Sequence, residues 1–173
     1  MKDIEGEAIL LDMYYASVDP VPLSGDKRAP PKVEIQPVSE GTPQFRNFSL
    51  KNIICNGAAK AIFVRGLPEM NIKDIVMEDM VLQSDIGLDM KEATGITFKN
   101  VHLITKKSDP VVNINNSQQI IFEKFMYNPG AKLLMNITGD KTKGIIISQT
   151  DLTKTDQKVR FSYGATNSAL QFK

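Results

Sequence analysis

The chain has 173 residues, 42% of them hydrophobic and 24% charged, with a net charge of +1, as expected of one folded domain with a continuous core. The near-neutral balance excludes the basic surplus that phosphate binding requires, so no nucleic-acid partner is expected. No apolar run approaches the roughly 18 residues of a membrane span, and Met1-Lys2-Asp3-Ile4-Glu5 does not read as a signal peptide. The single cysteine, Cys55, excludes an internal disulfide, and no Cys/His spacing suggests a metal or any other cofactor.

Apolar residues recur at i, i+2, i+5 and i+7, in copies spaced about 24 residues apart, a period in the range of solenoid repeats. A step of two keeps side chains on one face of a strand. The step of three between i+2 and i+5 breaks that alternation, as a corner does. Each copy therefore predicts two short strands meeting at a bend. A helical reading needs apolar stripes at three and four over ten or more residues, and these segments are too short for it.

In chain order, Met1, Ile4 and Gly6 fit the i+2, i+5 and i+7 positions of a rung whose first strand is missing. Residues 17 to 43 then hold Pro20, Pro22, Pro30, Pro31, Pro37 and Pro43, six of the nine prolines, which excludes a central strand and predicts an insertion loop. The full copies are Phe48/Leu50/Ile53/Cys55, Ile75/Met77/Met80/Leu82, Ile96/Phe98/Val101/Leu103, Ile120/Phe122/Phe125/Tyr127 and Ile145/Ile147/Thr150/Leu152, starting 27, 21, 24 and 25 residues apart. A third inward pair follows each: Ile62/Val64, Leu88/Met90, Val112/Ile114, Met135/Ile137 and Phe161/Tyr163.

Between the members of those pairs, Phe63, Asp89, Asn113, Asn136 and Ser162 are expected to point outward, as is Leu10 in the first rung. Asn113 and Asn136 then stack at a strand spacing of about 4.8 Å. Glycines such as Gly57, Gly95, Gly139 and Gly144 fall between strand segments, where bends are needed.

Three short strands per turn make the predicted fold all-β: a right-handed, single-stranded parallel β-helix of about six rungs, one domain over 1–173. The sequence reads as truncated at its N-terminus. An open first rung leaves strand edges and core residues bare, so end-to-end self-association through it is expected. The last rung, with Thr150, Thr153, Lys154, Thr155 and Lys158, is polar, as a cap should be.

The stretch Gly6-Glu7-Ala8-Ile9-Leu10-Leu11-Asp12-Met13-Tyr14-Tyr15, its Pro-rich sequel, and Phe45-Arg46-Asn47-Phe48-Ser49-Leu50-Lys51-Asn52-Ile53 resemble the C-terminal third of glycoside hydrolase family 28, the polygalacturonases. The segments from Asn71 to Met80 and from Ile96 to Val101 look like rungs of the same family. The resemblance implies inverting hydrolysis of α-1,4 galacturonan and, for the full-length protein, a polysaccharide partner and a periplasmic or extracellular location. It also implies that Tyr14, with Tyr15 as the alternative register, helps to hold substrate. Lys27 and Arg28 in the insertion, with Lys32, are further candidates to meet an anionic sugar.

The family's Asn-Thr-Asp, Asp-Asp, Gly-His-Gly and Arg-x-Lys motifs are absent, and the only histidine, His102, lacks flanking glycines and reads as a surface residue. Inverting glycosidases need two carboxyl groups about 6.5–9.5 Å apart. Glu5, Glu7, Asp12, Asp85 and Asp89 are the candidates considered, and acidic residues on rung corners are ordinarily solvated groups. No catalytic residue is therefore assigned. The expected function is a catalytically incomplete piece of a pectin-degrading hydrolase, with a non-catalytic carbohydrate-binding or structural β-helix of adhesin or tail-spike type as the alternative.

Overall fold

The computed structural model describes residues 1–14 and 35–173. The strands are β1 (Lys2–Asp12), β2 (Arg46–Arg65), β3 (Ile72–Ser84), β4 (Ile86–Lys91), β5 (Ala93–Thr105), β6 (Val112–Asn115), β7 (Ile121–Glu123), β8 (Met126–Tyr127), β9 (Ala131–Thr138), β10 (Ile145–Ser148), β11 (Thr155–Ser162) and β12 (Leu170–Phe172). Every pairing between these strands is parallel, and partners lie one turn apart in sequence. The chain is a parallel β-helix of about five turns.

Three faces wind around one core. The first face stacks the starts of β2, β3 and β5 with β7, β10 and β12. The second stacks the later parts of β2, β3 and β5 with β8. The third stacks β1, the end of β2, β4, β6, β9 and β11.

The step of three is a left-handed residue at each corner. Between the first and second faces, Asn52, Asp79, Asn100, Lys124 and Gln149 all have φ between 52° and 59°. Strand register stacks them in one column. Asn and Asp tolerate this region because their short polar side chains bond locally, and Asn100 Nδ2 donates to Asp79 Oδ1 at 2.5 Å. A second column, before the first face, contains Asn47, Asp74, Gly95, Gln119 and Gly144, all with positive φ.

Inside the coil, like stacks on like. Ile62, Leu88, Val112 and Met135 form one register column and Val64, Met90, Ile114 and Ile137 the next, all buried. Phe98 stacks on Phe122 with ring centroids 4.9 Å apart and planes 10° from parallel, and Phe125 meets Phe122 edge-on at 5.1 Å. Asn136 Nδ2 donates to Asn113 Oδ1 at 2.9 Å, so the expected outward amide ladder is present.

Three sequence expectations shift. In the last rung the inward pair is Val159 and Phe161, aligned with Met135 and Ile137, and Arg160 takes the outward place expected of Ser162. Tyr163 sits in the following turn with φ 51° and is 47% exposed, so it is no core residue. At the front, Lys2 pairs with Asn56 and Ile4 with Ala58, and a bulge follows before Glu7. Met1 thus aligns beside Cys55 at the end of the repeat pattern, not at its second position. Of the Pro-rich segment, residues 35–43 are described and carry no strand, and the remainder lies outside the described residues.

Phe122 is gripped on both sides and fully buried, so its truncation must leave a cavity that neighbouring rungs cannot close. Phe122→Ala is expected to lower stability by about 3–5 kcal/mol in denaturant unfolding. A loss of less than about 1 kcal/mol would show that the stacked ring column does not hold the middle rungs together.

Candidate functional site

The outward side of the third face is unlike the other two. Phe63, Arg65, Asp89 and Lys91 alternate with core residues and so point away from the coil, yet each is less than a tenth exposed, as is Lys60. Buried charge is costly unless paired. Register supplies one pair by setting Asp12 beside Arg65; it also sets Arg65 beside the like charge of Lys91, and Phe63 beside Asp89.

Asp12 organises the front of this cluster. Its Oδ1 accepts from Arg65 Nε at 2.8 Å and from the Tyr14 backbone N–H at 2.9 Å, while Arg65 Nη2 donates to Oδ2. This fork grips the guanidinium bidentately and turns the chain just after β1. The Tyr14 ring then lies 4.9 Å from the Arg65 guanidinium carbon and 5.9 Å from Lys91 Nζ. Phe63 flanks Arg65 at 5.3 Å and Lys60 Nζ at 4.4 Å, both cation–π distances. Lys60 Nζ is 2.5 Å from Asp89 Oδ2. Among the described residues, neither Asp89 oxygen has a partner in hydrogen-bonding geometry, so this contact is a buried ion pair rather than a directed bond.

One rung corner away, Glu92 is 3% exposed. Its two oxygens accept from Asn71 Nδ2 at 3.1 Å and Asn116 Nδ2 at 2.9 Å. The sequence reading missed this acid because it treated acids at corners as solvated. The signal was the register that places Glu92 in line with Asn71 on one side and Asn116 on the other.

The sequence candidates separate accordingly. Tyr14 is placed in the cluster; Tyr15, Lys27 and Arg28, like Lys32, lie outside the described residues. Of the acids considered for catalysis, Asp12 binds Arg65, Asp89 pairs with Lys60, and Asp85 pairs with Lys106 at 2.6 Å. Glu5 is exposed and Glu7 half-buried, both at the first rung. Among the described residues, no group of three or more His, Cys, Asp or Glu side chains could hold a metal ion.

The other faces carry simpler chemistry. On the first, Glu78 lies between Lys51 and Lys99 at 2.6 and 3.3 Å. Hydrogen bonds from the two lysines lower the Glu78 pKa, and the bond to Glu78 raises that of Lys51. On the second, Ile54, Val81, His102 and Met126 form an outward column along a shallow groove of about 320 Å³. Partial burial lowers the His102 pKa, with a smaller push from Lys154.

No family model matches the chain, and neither the curated proteins nor the solved structures contain a match.

Because the folded state disfavours charged His102, the unfolded chain binds that proton more readily. The stability contributed by neutral His102 is full above its unfolded value near 6.5 and is lost as the pH falls through that value toward the lowered folded one. Melting temperatures of the parent and His102→Gln at pH 7.5 and 5.5 check this. The parent is expected to lose more than the variant over this interval, where carboxylates remain largely ionised. Equal losses would remove His102 as the source.

Proposed function

We propose that this chain is a C-terminal β-helical portion of a polygalacturonase-like glycoside hydrolase that acts on galacturonan, and that it contributes to substrate binding without cleaving the chain itself. The observation that carries the reading is the position of Tyr14: its ring stands just beyond β1 beside Arg65 and Lys91. An aromatic ring offers a face to a sugar, and adjacent cations favour a uronate carboxylate over a neutral hexose. The parallel β-helix is the scaffold that the sequence resemblance implies. In the full-length protein, the same resemblance places the activity in the periplasm or outside the cell.

The inactivity of the isolated chain follows from its acids. The family's carboxylate motifs are absent from the sequence, and Asp12, Asp85 and Asp89 are each held by a cation.

A structural β-helix, of the kind found in adhesins or tail spikes, is the second reading. It is favoured by the internal neutralisation of the third face, where Asp12 and Asp89 already occupy Arg65 and Lys60.

Titration calorimetry of the 173-residue chain with oligogalacturonate at low salt, alongside a reducing-end assay, separates these readings. Weak, salt-sensitive binding is expected, reduced about tenfold or more, a loss of about 1.4 kcal/mol, by Tyr14→Ala and retained by Tyr14→Phe, with no new reducing ends. Failure to bind oligogalacturonate would leave the structural reading. New reducing ends would overturn the assignment of an inactive chain.

A further inference from the structure

β1 ends at Asp12, and its pairing with β2 closes on the bond from the Met13 N–H to the Arg65 carbonyl at 3.0 Å. Tyr14 lies just past that bond, so the strand ladder does not itself set where its ring points. Asp12 takes over the task. Its Oδ1 accepts the Tyr14 N–H at 2.9 Å, two residues on, which makes an Asx-turn. The same oxygen accepts from Arg65 Nε at 2.8 Å, and Oδ2 accepts from Arg65 Nη2.

One carboxylate therefore fixes two things at once. It holds the backbone that carries the Tyr14 ring, and it holds the guanidinium that lies 4.9 Å from that ring. Phe63, on the same strand as Arg65, stands 5.3 Å from the guanidinium and steadies it further. All of this lies on the side of β1 that faces β2, so it does not depend on what precedes Met1.

The parts differ in access. Arg65 is 9% exposed, and the two donors of its fork face Asp12. Tyr14 is only half-buried, so its ring is the part a ligand reaches. A ring held in place beforehand need not be ordered on binding, which strengthens association.

We propose that Asp12 is the positioning residue of this site: by its fork to Arg65 and its bond to the Tyr14 N–H, it holds the Tyr14 ring ready for a sugar. Arg65 then serves through the shape of its fork and not through its charge alone. The proposal rests on the reading of Tyr14 as a sugar contact.

The test is titration calorimetry with oligogalacturonate on single and double variants, each shown by its melting curve to be folded at the titration temperature. Arg65→Lys keeps the charge and an ion pair with Asp12 but cannot form the two-pronged fork. It is expected to weaken binding about tenfold, within the range of coupling between groups of one network. Asp12→Asn keeps an oxygen for the Tyr14 N–H and loses the charge that matches Arg65, and it is expected to weaken binding less.

In the Tyr14→Ala background, both substitutions should have no further effect, because each acts through the ring. A purely structural role would instead give losses that add to that of Tyr14→Ala, and would overturn the proposal. So would Arg65→Lys binding like the parent. If Tyr14→Ala itself leaves binding unchanged, the sugar-contact reading fails and this proposal falls with it.

Discussion

A strand in a parallel sheet cannot satisfy its own backbone, so each rung of this molecule depends on the rung before it and the rung after. That constraint sets the rest. Backbone hydrogen bonds run between residues about one turn apart, for example from the Ile146 N–H to the Ile120 carbonyl at 2.9 Å and from the Val111 N–H to the Leu133 carbonyl at 3.0 Å. For that ladder to continue, every turn must put equivalent side chains at equivalent heights. The columns of Ile, Val, Leu, Met and Phe in the core follow, as do the columns of left-handed residues at the corners. Stability in such a stack is roughly a sum of neighbour terms.

The same stacking concentrates charge. On the third face, one rung apart, Asp12, Arg65 and Lys91 come into line beside Tyr14, and Asp89 comes within reach of Lys60. No local sequence motif links these residues, since Asp12 and Arg65 are 53 positions apart. The coil brings them together, and burial then requires that they neutralise one another. This side of the β-helix therefore gathers buried charge, with Asp12 against Arg65 and Asp89 against Lys60.

The inward columns were legible because the pattern that encodes them is simple: a step of two within a strand and a step of three where a left-handed residue turns the corner. Asn52, Asp79 and Asn100 even carry the residue types that such a corner prefers. Legibility failed where contrast was low. In the last rung, Phe161 and Tyr163 look alike as an alternating pair, but Tyr163 precedes Gly164 in a turn, and the true partner of Phe161 is the less conspicuous Val159. At the front, a bulge between Ile4 and Glu7 shifts the register in a way that no spacing rule reveals. Glu92 was hidden for a different reason: its partners Asn71 and Asn116 are 21 and 24 residues away, and only the correct register joins them. Resemblance alone singles out Tyr14, whereas its contacts with Arg65 and Lys91 are visible only in three dimensions.

The central claim is that each rung is held by its two neighbours, and amide hydrogen exchange resolved by residue tests it most directly. Slowest exchange is expected in β3 and β5, which have strands on both sides, and fastest in β1 and β12, which have one, with a graded change between. Uniform protection along the chain, or strongest protection at β1 and β12, would contradict it.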